Sequence, residues 1–261
     1  MSQRSSCGRS LALIALMIVF TCCIANKEAK AVDFNLPPEA LGYNIHVKLT
    51  PDVAAIAEAA NDFIEKYCPG NDVHLRTVEQ PHITLYLTEF LPVDKEQLVA
   101  AVHEAVKTIP ATPCIITTEK SQPSGTYLMW EVNTPPCLQF YSDVIVNATT
   151  QFAVPNQTVP AWVLTLPEPL RSEKIAMIKK FGSPNVFSQF QPHVTLGFDN
   201  NTACLTAVAP QLTLPLSHFA PTTLAIGTTG PHGTVLRGED VADFSLQKSQ
   251  VKGSSVERRR K

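Results

Sequence analysis

Polar and apolar residues alternate along residues 43–49, and this period of two is typical of a β-strand with one buried face. His46 lies on the polar face of that strand. Apolar residues at helical spacing follow and predict a helix over residues 51–67, which Pro69 and Gly70 end. A strand and then a helix therefore open the ordered part of the chain.

The remaining pattern predicts further elements of both kinds. Helices are predicted over residues 94–108, 138–151 and 168–181. Strands are predicted over residues 81–87, 114–118, 126–132, 161–166, 193–198, 212–216, 222–227 and 234–236. Because helices and strands are interspersed in both halves, we predict an α+β fold with two comparable lobes.

An eight-residue motif occurs once in each half of the chain. Residues 80–87 read Gln-Pro-His-Ile-Thr-Leu-Tyr-Leu, and residues 191–198 read Gln-Pro-His-Val-Thr-Leu-Gly-Phe. Five of the eight positions are identical. A single His-x-Thr sequence is a weak signal, but two copies inside a matched apolar octapeptide indicate an internal duplication.

The strand geometry of this motif gives its polar residues a shared direction. Alternate side chains of a strand point to the same face, so His82 lies beside Thr84 and His193 beside Thr195. We predict that the apolar residues of the opposite face belong to the core: Ile83, Leu85, Leu87, Val194, Leu196 and Phe198. If a pseudo-two-fold axis relates the halves, the two polar faces meet across a cleft.

Two histidines and two threonines around one point suit acid–base chemistry on a phosphoester. Histidine titrates near pH 6.5, so one neutral imidazole can take a proton while a protonated one gives a proton to a leaving oxygen. Each step contributes about 10²–10⁴-fold in rate. The threonine hydroxyls can donate hydrogen bonds to phosphoryl oxygens. Since no Cys/His cluster has metal-ligand spacing, we expect neither a metal nor another cofactor.

The paired His-x-Thr motifs resemble those of the two-histidine (2H) phosphoesterase superfamily, which includes RNA 2′,5′-ligase-like proteins and cyclic phosphodiesterases. The resemblance covers about residues 42–246 and is most specific in the two octapeptides. It implies a bilobal, pseudo-two-fold fold, with two antiparallel sheets facing a central cleft and helices outside. It also implies metal-independent phosphoester chemistry, often on 2′,3′-cyclic phosphates.

The resemblance also implies roles for individual residues. It favours His193 as the general base and His82 as the general acid, although the nearly symmetric motifs themselves leave this assignment open. Thr84 and Thr195 are expected to bind the phosphoryl oxygens. Tyr86 shares the strand face of His82 and could stack on a base. Further candidates for substrate contact are Phe198 and His46. The alternative for Tyr86 is packing at the cleft edge, and that for His46 is a solvent-facing position or a hydrogen-bonded structural role.

These observations predict a phosphodiesterase that hydrolyses 2′,3′-cyclic phosphates of nucleotides or RNA ends. One alternative is a phosphodiesterase for 2′,5′-linked or cyclic dinucleotides. Another is a secreted pseudoenzyme that binds phosphate without turnover. Intact histidines in both motifs argue against the pseudoenzyme, since a binding protein has little need of two proton carriers.

Composition and charge restrict the partners. The chain of 261 residues is 44% hydrophobic and 17% charged, as expected for a globular protein. Residues 26–247 contain 13 basic and 22 acidic residues, which gives a net charge of about −9. An acidic protein is a poor platform for duplex nucleic acid, because affinity for it comes mainly from neutralised phosphates, and we expect no such partner. We expect a small nucleotide or RNA-end substrate and a monomeric protein.

The N-terminus has the pattern of a secretory signal peptide. Arg4 and Arg9 precede an apolar run over residues 11–25, which is shorter than the ~20 residues of a membrane-spanning helix. We predict a signal peptide over residues 1–25, with Ala31 as the alternative cleavage position. Residues 26–41 are a lead-in, residues 42–247 form the catalytic domain, and residues 248–261 are a basic disordered tail.

Export changes the expected chemistry of the cysteines and asparagines. We expect a secreted protein, or one in the lumen of the secretory pathway, with no membrane attachment after cleavage. Four cysteines then remain, which predicts two disulfides with three possible pairings. These cysteines are Cys68, Cys114, Cys137 and Cys204. Three sequons predict glycosylation at Asn147, Asn156 and Asn200.

Overall fold

A computed structural model describes residues 40–247, which form two four-stranded antiparallel sheets with helices packed against them. The predicted signal peptide, most of the lead-in and the predicted tail lie outside the described residues. The strands are β1 (Leu41–Lys48), β2 (His82–Phe90), β3 (Ile116–Ser124), β4 (Tyr127–Val132), β5 (His193–Phe198), β6 (His218–Phe219), β7 (Thr223–Thr229) and β8 (Val235–Ser245). The helices are α1 (Pro51–Tyr67), α2 (Lys95–Thr108), α3 (Pro136–Thr149), α4 (Ala161–Leu164), α5 (Leu170–Phe181) and α6 (Thr202–Val208). No helix in this part of the chain is long and apolar enough to cross a membrane.

The sheet topology brings the two motif strands together. The first sheet has the strand order β2-β1-β7-β8, and the second has the order β5-β4-β3-β6. The motif strands β2 and β5 are therefore edge strands of their sheets, and they contact each other. All strand pairs in both sheets are antiparallel, and helices are interspersed with the strands. The predicted α+β fold with two antiparallel sheets is therefore confirmed.

Helix α1 shows why the N-terminal segment folds as predicted. Pro51 occupies the first turn, where its missing N–H is no loss. The buried side chains recur at helical spacing, and the helix packs on β5. The buried apolar residues are Val53, Ala57, Ala60 and Ile64. An N-terminal helix is thereby joined to the strand that carries the second motif.

Several predicted elements differ from those observed. Residues 161–166 were predicted to form a strand but contain helix α4, in which Trp162 is 38% exposed. Residues 212–216 form no strand, and Pro215 within this segment cannot donate a ladder hydrogen bond. Helix α6 was not predicted; it begins where the Asn201 side chain accepts a hydrogen bond from the Cys204 N–H. These short segments carry too few residues for their periodicity to decide between helix and strand.

Both motif strands contain a β-bulge at the same position of the octapeptide. In β2 the register with β1 shifts so that Leu85 has no partner, and in β5 the register with β4 shifts at Leu196. An extra residue reverses the alternation of the side chains that follow it. Leu87 and Phe198 therefore leave the predicted core face. Both are only partly buried, on the face of the motif histidines.

The residues that take their place face the core. Tyr86 is 0% exposed, and Gly197 backs onto helix α1. A Cβ at Gly197 would lie 2.8 Å from the Asn71 Oδ1 and 3.1 Å from the Ile64 Cγ2, so only glycine fits this close approach. The bulge turns both positions towards the core, and their neighbours differ: Gly197 closely approaches helix α1, whereas the Tyr86 hydroxyl reaches the Phe181 carbonyl oxygen.

The structure selects one of the three possible disulfide pairings. Cys68 at the end of α1 is bonded to Cys204 in α6, across 136 residues of sequence. Cys114, before β3, is bonded to Cys137 in α3, across 23 residues. The long-range bridge connects α1, beside the second motif strand, to the C-terminal half.

The two disulfides should differ in their contribution to stability. Replacing Cys68 and Cys204 with serine should lower the free energy of unfolding by about 2–5 kcal/mol, because the unfolded chain regains loop entropy. Replacing Cys114 and Cys137 should cost ~1–2 kcal/mol less, since its loop is shorter. Denaturant titration of both double variants measures the difference. Equal losses would contradict a loop-entropy origin.

Candidate active site

The two motif histidines are held in the same way. The Nδ1 of His82 lies 2.9 Å from the Gln80 carbonyl oxygen, and the Nδ1 of His193 lies 2.9 Å from the Gln191 carbonyl oxygen. A carbonyl oxygen only accepts hydrogen bonds, so each Nδ1 carries the proton and donates. Each neutral imidazole is thereby left with a lone pair on Nε2, where it can accept a proton.

The two imidazoles approach each other across the contact between β2 and β5. Charge on His193 is close enough to lower the pKa of His82. His82 is 6% exposed, and His193 is half-buried. The structure therefore brings together the histidines that the sequence places 111 residues apart.

Asn44 of β1 is a site residue that the sequence analysis did not identify. Its Nδ2 donates to the Thr84 Oγ1 at 2.9 Å and to the Gly233 carbonyl oxygen at 3.2 Å, and lies 3.3 Å from the His82 Nε2. Asn44 is completely buried, and its Oδ1 has no hydrogen-bond partner within the described structure. In the sequence, Asn44 could have been recognised as a candidate from its position on the polar face of the first strand, next to His46.

His46 lies behind His82 and does not line an open cleft. The two ring centroids are 5.2 Å apart in an edge-to-face arrangement, and His46 is 0% exposed. Its Nδ1 donates to the Asn44 carbonyl oxygen at 3.0 Å. Its Nε2 has no hydrogen bond in the described structure but lies 3.8 Å from the Asp240 Oδ1. The predicted substrate contact is therefore replaced by the structural alternative.

Tyr86 does not face the cleft either. Its hydroxyl donates to the Phe181 carbonyl oxygen at 2.6 Å, and burial raises its pKa to about 12. The prediction that Tyr86 shares the face of His82 was wrong, because the bulge at Leu85 reverses the alternation before Tyr86. In its place Leu87 lies opposite Asn44 on β1, and so on the face of the histidine and threonine.

Phe198 belongs to an aromatic group that we call the aromatic wall, formed by Tyr127, Phe198 and His232. The rings of Phe198 and His232 stack with centroids 3.5 Å apart, and Tyr127 meets Phe198 edge-on at 5.0 Å. The His232 Nε2 lies 2.8 Å from the Asp72 Oδ2. His232 adjoins Gly233, whose carbonyl oxygen accepts from Asn44, so the wall and the histidine site are connected. His232 lies outside both octapeptides, so the sequence pattern gives it no role.

Burial keeps the site histidines neutral in the free protein. Burial, helped by the nearby His46, lowers the pKa of His82 to about 3. Burial also lowers the pKa of His193, and the Lys174 ammonium contributes in the same direction. The pKa of His46 is lowered to about 4, again mainly by burial. An anionic ligand would oppose these shifts by stabilising an imidazolium.

One group of potential metal ligands lies close together among residues 40–247. It consists of Cys68, Asp199 and Cys204, but the two cysteines form the disulfide and are not thiolates. A disulfide sulfur is not the anionic ligand that a metal site requires. This cluster therefore offers no metal centre.

The hydrogen bonds predict the tautomer and charge of both motif histidines. At pH 7 we expect each ring to be neutral with its proton on Nδ1, and to titrate below pH 6.5 because burial lowers the pKa. Long-range ¹H–¹⁵N correlation spectra report ring charge and tautomer directly. His82→Gln and His193→Gln variants assign the signals. An Nε2–H tautomer or an imidazolium at pH 7 would contradict this geometry.

Comparisons with known proteins identify similar sequences and folds. A family model for the 2′-5′ RNA ligase superfamily matches residues 51–233, which include both His-x-Thr motifs. Comparison with curated proteins finds no match. Among solved structures, TT0787 of Thermus thermophilus is 15% identical with a TM-score of 0.48, over 80% of this chain and 100% of that one. E. coli LigT complexed with 3′-AMP is 14% identical with a TM-score of 0.47, over the same shares of both chains. E. coli LigT complexed with phosphate is 13% identical with a TM-score of 0.46, over 80% and 99%.

Proposed function

The chain belongs to the 2′-5′ RNA ligase superfamily of 2H phosphoesterases, and we propose that it hydrolyses 2′,3′-cyclic phosphates of nucleotides or RNA ends without a metal ion. Family membership supports phosphoesterase activity in general. The observation that carries the specific proposal is the matched pair of imidazoles. Each is fixed through Nδ1 by the carbonyl of a motif glutamine and keeps Nε2 for proton transfer.

The proposed reaction uses these two nitrogens in opposite directions. The Nε2 of His193 takes a proton from water as the water oxygen forms a bond to phosphorus. The bond between phosphorus and one ribose oxygen breaks, and the protonated Nε2 of His82 gives that oxygen its proton. Exchange with solvent then restores both rings. Binding of the phosphate anion favours the imidazolium that this step requires.

The threonines are the residues that we propose hold the phosphoryl oxygens. Thr84 and Thr195 are both partly buried, on the faces of their motif histidines. The Thr84 Oγ1 accepts a hydrogen bond from the Asn44 Nδ2 at 2.9 Å, so its own hydroxyl proton remains available to the substrate. Donors aimed in advance at developing negative charge are an effective means of stabilising a transition state.

We propose that the nucleoside lies along Leu87 and the aromatic wall. The bulges turn both Leu87 and Phe198 towards the motif histidines, and Phe198 remains partly exposed beside His232. Stacking of a base on an aromatic ring contributes about 1–3 kcal/mol for any base. Such a contact supports a small nucleotide or an RNA end as the substrate.

We also propose that the protein works in an oxidising compartment. The bridges Cys68–Cys204 and Cys114–Cys137 are of a kind that persists in secreted proteins. The three sequon asparagines are all exposed, as acceptors of glycans must be. These observations support the export that the N-terminal sequence predicts.

A substrate panel distinguishes the proposed reaction from its alternatives. We expect hydrolysis of 2′,3′-cyclic AMP to persist in the presence of EDTA, because the proposed site needs no metal ion. We expect no hydrolysis of 3′,5′-cyclic AMP, since the proposed substrate is a 2′,3′-cyclic phosphate. Preferential cleavage of a 2′,5′-linked dinucleotide would favour the alternative phosphodiesterase. Binding of phosphate with no turnover of any substrate would favour the pseudoenzyme. Loss of all activity in EDTA, restored by a divalent ion, would contradict the proposal.

Variants of the motif residues test the proposed proton transfers. His82→Asn and His193→Asn should each lower kcat by about 10²–10⁴-fold, since each removes one proton carrier. Thr84→Val and Thr195→Val should cost less, because they remove one hydrogen bond each. His103→Asn is the matched control, because His103 lies on the surface of α2 with its side chain 58% exposed. Full activity in the double histidine variant, with an unchanged melting temperature, would refute the mechanism.

A further inference from the structure

The glutamines of the two motifs are held by charges of opposite sign. The Gln80 Nε2 donates to the Asp240 Oδ1 at 2.7 Å, and the Gln191 Oε1 accepts from the Lys174 Nζ at 3.3 Å. A carboxylate only accepts and an ammonium only donates, so the two amides must be oriented in opposite senses. The same glutamines hold the motif histidines through their carbonyl oxygens. A repeat that is symmetric in sequence is therefore asymmetric in charge.

Lys174 places a buried positive charge behind His193. The residue is 1% exposed, and its Nζ also donates to the Asn185 Oδ1 at 2.7 Å. Both bonded partners are neutral amide oxygens, so they solvate the ammonium without cancelling its charge. Burial lowers the pKa of Lys174 to about 8, and it remains mostly protonated at pH 7. Burying a charge without an ion-pair partner is costly, which indicates a role other than packing.

The charges behind His82 sum to a negative value. Asp240 and Asp243 both pair with Lys48 of β1, at 2.6 and 2.8 Å from its Nζ. Two carboxylates and one ammonium leave one net negative charge. His46 adds no charge at pH 7, because burial lowers its pKa to about 4. Asp240 therefore favours an imidazolium at His82, against the effect of burial.

Other charged groups near the two rings are more exposed to solvent. Glu131 of β4 is the cross-strand neighbour of His193 and is half-exposed, and Glu173 precedes Lys174 on the exposed side of α5. Water and salt screen such groups more than they screen a buried ammonium. The remaining charge near each ring is that of the other ring, so the two motif histidines resist taking up two protons together.

We propose that Lys174 and Asp240 are positioning residues that bias the two rings in opposite directions: when a bound anion stabilises an imidazolium, Asp240 favours it at His82 and Lys174 opposes it at His193. The pair thereby decides which member of a duplicated motif serves as acid and which as base. This inference deepens the proposed function and relies on it for its catalytic consequence. The effect of each charge on the pKa of its ring is a property of the free protein.

Titration of the motif histidines by NMR tests this proposal without any substrate. Lys174→Met should raise the pKa of His193, because it removes the buried ammonium. Asp240→Asn should lower the pKa of His82, because it removes the carboxylate. Lys174→Arg keeps the charge and should leave His193 as in the unmodified protein. If the methionine variant does not fold, Lys174→Gln removes the same charge and keeps a polar group for Asn185.

Glu131→Gln is the matched control for the charge behind His193. It removes one charge next to the same ring, and it should move the pKa of His193 less than Lys174→Met does. Shifts of opposite sign at the two rings would support the proposal. It would be overturned if neither ring responds, if both shift in the same direction, or if Glu131→Gln has the larger effect.

Kinetics provide the readout that a structural role would not change. Lys174→Met should move the acidic limb of the kcat profile to higher pH, since His193 then becomes protonated and fails as a base at a higher pH. Asp240→Asn should move the alkaline limb to lower pH, since His82 loses its proton earlier. Opposed NMR shifts in a protein without turnover would contradict the proposed function alone. Normal turnover without NMR shifts would contradict this inference alone.

Discussion

The hydrogen bond from each motif imidazole to the carbonyl oxygen two residues earlier is the constraint on which the site depends. It has the same length, 2.9 Å, in both copies. Pro81 and Pro192 lie between donor and acceptor, and a proline restricts the preceding glutamine to extended conformations. One local geometry therefore settles the tautomer, leaves Nε2 free for proton transfer and fixes the direction of the ring. Each copy of the motif thus fixes both the position of its histidine ring and the nitrogen that carries the proton.

The β-bulges determine which side chains follow the histidine and threonine on the same face of each motif strand. A regular strand would direct Tyr86 into the cleft and Leu87 into the core. The extra residue after each threonine exchanges these directions, so the polar half of the motif faces the reaction and the next cleft position is apolar. Asn44 then connects three parts of the site, because its amide reaches Thr84, His82 and the loop at Gly233. The same β-bulge in both strands therefore places Leu87 and Phe198 beside the two motif histidines.

The two motif histidines have the same local geometry, so the motif alone does not distinguish a general acid from a general base. Hydrolysis needs one ring with a proton and one without. Asp240 on one side and Lys174 on the other supply that difference through the motif glutamines. Buried charges cost stability, so such an arrangement is better explained by chemistry than by packing. In the proposed mechanism, a symmetric framework with asymmetric surroundings lets one duplicated motif perform two opposite proton transfers.

The sequence by itself determined the paired His-x-Thr strands, the α+β class, the opening strand and helix, and the cysteines that pair. These features depend on residues a few positions apart, where periodicity and spacing carry the information. Only the tertiary structure decided which cysteines are bonded, where the bulges fall, that Tyr86 is buried, and that Asn44, Lys174 and Asp240 surround the histidines. A bulge depends on the register with a partner strand, and Gln80 meets Asp240 across 160 residues. Contacts at that separation leave no local pattern, because the three-dimensional packing of the whole chain sets them.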